Sequence, residues 1–129
     1  MAGGLAADAP HLPRPAQIDA YGNAGFRFAG MSHRGSLLCL PDGIWAWPVK
    51  DATELNLAAL EWVFACAQPL DVFLIGAGRD PWPLPERLRA RFRELSISVD
   101  AMATGAAVRT YNILLSENRR VGAGLIAVD

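Results

Sequence analysis

Charge of one sign, cysteine, histidine and long apolar runs are all scarce in this sequence, and each scarcity excludes something. Twelve basic residues against thirteen acidic ones leave a net charge of −1. No broad field therefore attracts phosphate polymers or an anionic membrane. The best apolar stretch, 57–67, is interrupted by Glu61 and falls short of the ~18 residues that span a bilayer. The only two cysteines, Cys39 and Cys66, each sit in an apolar stretch. They read as a reduced, buried pair, because free cysteine behaves as a small hydrophobe; one disulfide is the alternative. No Cys/His spacing matches a zinc site, and there is no G-x-S-x-G elbow, P-loop or paired-acid signature. No metal or cofactor is expected.

What is present is apolar. A hydrophobic fraction of 52% against 19% charged residues places the chain with packed globular proteins and away from disordered ones. Its 129 residues suit one domain. The first seventeen residues are rich in alanine, glycine and proline, with Asp8 and the single arginine Arg14. They lack the basic start and apolar core of a secretory signal and make a poor mitochondrial presequence. They read as a flexible arm, which sets 1–15 as the arm and 16–129 as a single domain, with a cytoplasmic location expected.

The first half reads as short strands, at 18–21, 25–29, 36–40 and 44–47, broken by turns at Gly22-Asn23, at 30–35 and at Pro41-Asp42-Gly43. From Asp51 the period changes. Leu57, Leu60, Glu61, Phe64 and Ala67 lie at helical spacing, with Thr53 or Asn56 as candidate cap and Pro69 as the stop. Val72-Phe73-Leu74-Ile75 is a continuous apolar run of the kind covered on both faces. A second helix is predicted over 85–94, a strand over 96–99, a third helix over about 104–117 and a closing strand over 121–128. Right-handed crossovers make 71–75 and 96–100 parallel neighbours. The last strand is left in either direction.

Sheets of this kind bind ligands beyond the carboxyl ends of their strands. One such loop is Gly76-Ala77-Gly78-Arg79-Asp80, whose glycines let backbone N–H groups approach an anion that Arg79 could pair with. Proline stands where a third nucleotide-fingerprint glycine would fall, at Pro81, so the loop also reads as a plain turn. The other runs from Asp100 to Thr104, a candidate helix N-cap, and on to Arg109, Tyr111 and Asn112. Tyr111 reads as core with its hydroxyl satisfied at an edge, and Arg109 and Asn112 as a solvated face or the lining of a pocket. His33 reads as a surface loop, and Arg87, Arg89, Arg91 and Arg93 as solvated flanks of the second helix. Trp82, between Pro81 and Pro83, is the tryptophan expected to be exposed and to anchor a partner.

Taken in order, several segments resemble one family. They are Tyr21-Gly22-x-x-Gly25-Phe26-Arg27-Phe28, Gly35-Ser36-Leu37-Leu38, Leu74-Ile75-Gly76-Ala77-Gly78, Met102-Ala103-Thr104-x-x-Ala107-x-Arg109-Thr110-Tyr111-Asn112 and Glu117-x-Arg119-Arg120-Val121. The chain resembles, over about 16–128, the domain of unknown function named for the methanogen protein MTH nine-three-eight. Relatives there include a mitochondrial complex I assembly factor and an adipogenesis-associated protein. The resemblance implies a three-layer α/β domain with a mixed, roughly five-stranded central sheet, packed helices and extra short N-terminal strands. It suggests 121–128 as the one antiparallel strand, and it implies no established reaction. Many relatives carry a hydroxyl residue where this chain has Ala77, which weakens a catalytic role for that loop.

The leading expectation is a non-enzymatic protein-binding or assembly module with an unidentified protein partner. The alternative is a small-molecule or anion-binding enzyme whose site lies at 76–80 and 100–112, using Gly76, Gly78, Arg79, Asp100, Thr104, Arg109, Tyr111 and Asn112. Neither nucleic acid nor membrane is expected as a partner.

Overall fold

The change of rhythm at residue 51 is also a change in architecture. The computed structural model describes residues 10–66 and 68–129. Its strands are β1 (Ala20–Gly22), β2 (Gly25–Phe28), β3 (Met31–Arg34), β4 (Ser36–Leu40), β5 (Gly43–Trp47), β6 (Val72–Gly76), β7 (Ser98–Met102) and β8 (Val121–Leu125). Its helices are α1 (Glu61–Phe64), α2 (Glu86–Glu94) and α3 (Thr104–Ser116). The first three strands form a small antiparallel sheet, and the others a five-stranded sheet in the order β5-β4-β8-β6-β7.

In the larger sheet β6 runs parallel to β7, as the crossover argument requires, and also parallel to β8. β8 is therefore not the odd strand. β4 is, running against both β5 and β8. The tight Pro41-Asp42-Gly43 turn makes β4–β5 an antiparallel hairpin, so one of that pair must oppose the rest. α3, thirteen residues long and so about 20 Å, carries the chain back across the sheet and returns β8 parallel.

Three other expectations change. Residues 31–34, read as part of a turn, are β3. Ala29 and Gly30, both at positive φ, make the two-residue reversal by themselves, as Asn23 and Ala24 do between β1 and β2. Met31-Ser32-His33-Arg34 lacks the β-branched and aromatic residues that mark a strand. The first predicted helix is also much shorter, with only Glu61–Phe64 α-helical after a 3-10 turn at Ala52–Glu54. Asp51 caps that turn, accepting from Thr53 N–H and Oγ1, while Asn56 Oδ1 accepts from Ala59 N–H. Leu57 is 46% exposed, so the helical spacing at its start buries nothing; Ala67 lies outside the described residues. Finally, the strand predicted at 96–99 is displaced to Ser98–Met102, because Ser96 sits at φ 59° and ends α2. Residues 1–9 of the expected arm also lie outside the described residues; His11 and Leu12 bond through their backbones to Ile44.

The alternation of strand side chains divides the interior in two. On one face Leu38, Leu40, Trp47, Phe73 and Ile75 pack with Leu60, Val63, Leu88 and Phe92 from the α1 and α2 region. On the other, Leu37, Cys39, Leu74, Ala123 and Leu125 pack with Ala107, Val108 and Tyr111 of α3 and with Phe26 and Phe28 of the small sheet. β8 is buried throughout but nearly bare on the first face, where Gly122 and Gly124 make room for large neighbours. A Cβ on Gly124 would lie 2.6 Å from Trp47 Cη2.

Gly124→Ala therefore overpacks a rigid ring and is expected to cost about 1–3 kcal/mol, measured as a lower midpoint in urea unfolding. An unchanged midpoint would show that Trp47 can shift without loss.

Candidate functional site

The strand-end region is organised by Thr104, the first residue of α3. It does not cap the helix; Ala103 holds the cap position without a side-chain bond. Its hydroxyl is fully buried, accepts from Gly78 N–H at 2.9 Å and donates to the Ile126 carbonyl at 2.7 Å. Its backbone N–H donates to Gly78 O at 2.8 Å, and Ile126 N–H to Gly76 O at 2.9 Å. The loop after β6, the start of α3 and the end of β8 are thus bonded to one another. Gly76 permits the contact: a Cβ there would stand 3.0 Å from Thr104 Cα and 3.2 Å from Ala107 Cβ. Gly78, at φ +109°, turns the loop in a conformation that L side chains rarely adopt.

The expected site residues separate into three groups. Gly78, Arg79 and Arg109 come together around one shallow cavity of about 300 Å³, which is also lined by Tyr21 and Gly105. Gly76 and Thr104 form its support. Asp100 lies on β7, exposed and outside the cavity lining, and Tyr111 and Asn112 point elsewhere. Asn112 clamps one residue of backbone, with Oδ1 accepting from Ile18 N–H at 2.8 Å and Nδ2 donating to Ile18 O at 2.9 Å. Trp82, expected to be exposed, is half-buried and packs against the α2-side core.

Tyr111 is core, as its helical position predicts, but its hydroxyl reaches no edge. It is buried with no oxygen or nitrogen partner, beside the Cys39 thiol. Burial, then the neighbouring Cys39, pushes the tyrosine well above the usual phenol range. Burial raises the Cys39 thiol to about 12, partly offset by the tyrosine hydroxyl. Both stay protonated at ordinary pH. Both cysteines are free thiols, Cys39 buried and Cys66 half-buried.

Tyr21 was not evident as a site feature from sequence, nor was Ile18 as the partner of Asn112. Tyr21 lies over the first turn of α3, where a Cβ on Gly105 would collide with its hydroxyl. Gly105 itself was the available signal, since a glycine inside a helix costs about 1 kcal/mol relative to alanine and usually marks a close approach. His33, on β3, lies against His11 with ring centroids 4.8 Å apart and the ring planes tilted by 48°. Burial and then His11 lower its pKa, against a backbone bond at Ser36. On α2, Arg91 and Arg93 pair with Glu94 and Glu86 at 3.1 Å. Among the described residues no cluster of three metal-ligating side chains occurs, and no helix is long and apolar enough to cross a membrane.

Comparison with known proteins matches this chain, over residues 18–126, to the family described as "Protein of unknown function (DUF498/DUF598)". An uncharacterized protein of Rhodobacter capsulatus is 42% identical over 109 residues, covering 84% of this chain and 82% of that one. The NADH dehydrogenase [ubiquinone] 1 alpha subcomplex assembly factor 3 of Xenopus tropicalis is 27% identical over 84% of this chain, which spans 60% of the frog protein. Among solved structures, a Bartonella henselae protein described as an outer membrane protein is 48% identical with a TM-score of 0.87, over 92% of this chain and all of that one. A Bordetella pertussis protein described as a Mth938-like domain has a TM-score of 0.74 at 24% identity, over 95% and 91% of the two chains, and shares the fold.

Thr104→Val keeps the side-chain shape but leaves Gly78 N–H and the Ile126 carbonyl buried without their partner. A loss of roughly 2–4 kcal/mol is expected by denaturant unfolding, with Thr104→Ser retaining most of the stability. Equal stability of the valine variant would show that the hydroxyl is not what joins these segments.

Proposed function

This chain belongs to the DUF498/DUF598 family of proteins of unknown function, and we propose that it works as a non-enzymatic protein-binding or assembly module in the cytoplasm. The observation that carries this reading is how the strand-end residues spend their polar groups. Thr104 and Asn112 bond to backbone, Tyr111 faces a protonated thiol, and the remaining cavity presents Arg79, Arg109, Tyr21 and Asp129 among small residues and backbone. Such a lining can hold a partner, and it contains no histidine, cysteine or serine to act as the base or the nucleophile that covalent catalysis commonly uses. The assembly-factor relatives support the same reading, since a factor that assembles a complex must bind proteins. Capture of the affinity-tagged full chain from its native host under gentle lysis should recover a specific protein partner. Recovery of none, with a monomer at every concentration, would overturn the proposal.

A second reading is favoured by one specific feature, the convergence of Arg79 and Arg109 on the same cavity. In it the chain binds a small carboxylate or phosphate, and acts on it as an enzyme, at the loops 76–80 and 100–112. Inorganic phosphate or a dicarboxylate should then raise the melting temperature of the parent protein, and Arg109→Ala should abolish the rise. No rise in the parent removes this reading.

A further inference from the structure

The second sheet presents a face that the strand-end site does not use. In register, Ala20, Arg27 and Ser32 stand opposite one another across β1, β2 and β3, followed by Gly22, Gly25 and Arg34. Because strand side chains alternate, these six share one side of the sheet. The other side carries Phe26 and Phe28, which are buried. The outer side bounds an open groove of about 440 Å³. Its floor is nearly bare backbone, since two glycines, an alanine and a serine supply little side chain. Gly25 is fixed in that role, because a Cβ there would collide with the His33 carbonyl oxygen. Arg27 and Arg34 rise from this floor, both exposed. The ion pairs among the described residues use Arg91, Arg93 and Arg120, so neither groove arginine has a carboxylate partner there.

We propose that this face is a docking surface for an extended acidic segment of a partner protein, with carboxylates on alternate residues. Two complementarities support it. Arg27 and Arg34 are diagonal neighbours on adjacent antiparallel strands, which places the two residues about 7–8 Å apart, their Cβ atoms somewhat closer. Side chains two residues apart on an extended peptide point the same way and are separated by about 6.5–7 Å. Two carboxylates so spaced meet two guanidinium groups, which favour planar, paired recognition of carboxylate, while the peptide backbone lies over the glycines. A second copy of this chain is a poor occupant, since like faces would oppose arginine to arginine. Nucleic acid is also disfavoured, because the chain as a whole is slightly acidic and two contacts release few counterions.

The proposal rests on the protein-binding reading only for the choice of a protein partner. Its test is fluorescence anisotropy at low salt, using a dye-labelled, capped peptide of alternating Glu and Val. Its neutral Gln/Val counterpart is the control. The Glu peptide should bind and the Gln peptide should bind at least about tenfold more weakly. Arg27→Gln and Arg34→Gln should each weaken binding about threefold and together about tenfold, and added salt should weaken it further. Equal binding by the double variant overturns the proposal, as does a single-stranded oligonucleotide that binds these arginines more tightly than the Glu peptide. Should the double variant not fold, amide shifts of the parent protein decide. Peptide-induced changes at Gly22, Gly25 and Ser32 support the surface, and changes confined elsewhere overturn it. If the peptide fails while a partner is still recovered from the host, this surface falls and the binding-module reading stands.

Discussion

A buried hydroxyl is costly unless both of its hydrogen-bonding roles are filled, and that of Thr104 fills them with groups from two distant parts of the chain. It receives the Gly78 N–H and gives its own proton to the Ile126 carbonyl. Each of those backbone groups would otherwise be stranded away from water. The pairing fixes α3 against the sheet at the point where β6 ends. Everything on the first turns of α3 then has a defined place, including Gly105 beneath Tyr21 and Arg109 across from Arg79. Alanine or glycine nearby, at Gly76, Ala103 and Ala107, permits the close approach that makes the bonds short.

The two faces of the large sheet are closed by different means. The α1 and α2 side is an aromatic assembly in which Phe92 stacks on Phe73 with ring centroids 5.6 Å apart and meets Phe64 edge-on at 4.9 Å, a geometry worth about 0.5–1.5 kcal/mol per pair beyond burial. Arg91 covers the outer edge of that cluster from 5.3 Å above Phe64. The other side is closed by α3 and by the small sheet, which hangs on the Asn112 clamp and on Phe26 and Phe28. A side chain that could have served a ligand is spent instead on holding one layer to another.

Sequence made the large elements legible because their signals are long. The run at 72–75 announced a strand covered on both sides, and Tyr111 on the third helix read as core, where it lies. What it hid follows from the same physics. β3 has no apolar alternation strong enough to mark it, and the helical spacing begun at Leu57 ends in a single turn, because only Leu60 and Val63 bury. The odd strand depends on which hairpin half joins the sheet, a long-range choice that no local pattern carries. Thr104 and Asn112 were visible as residues of interest, but whether a polar side chain faces a ligand or a distant backbone depends on segments separated by many residues. Trp82 looked exposed because two prolines flank it; the loop folds back and packs it against the α2-side core.

β8 comes after every other strand in the sequence, yet it lies between β4 and β6 in the sheet. Until synthesis has passed Leu125, the pieces on either side of it, β5–β4 and β6–β7, each present an unpaired inner edge with apolar faces. A tight turn assembles β4 with β5 and the α2 crossover assembles β6 with β7, but only the final strand can join the two pieces. The fold is therefore completed from its centre by its latest part, as an arch is closed by its keystone. A chain whose β7 has been made and whose β8 has not therefore carries two half-sheets with open inner edges, the kind of surface that sticks to counterparts on neighbouring chains.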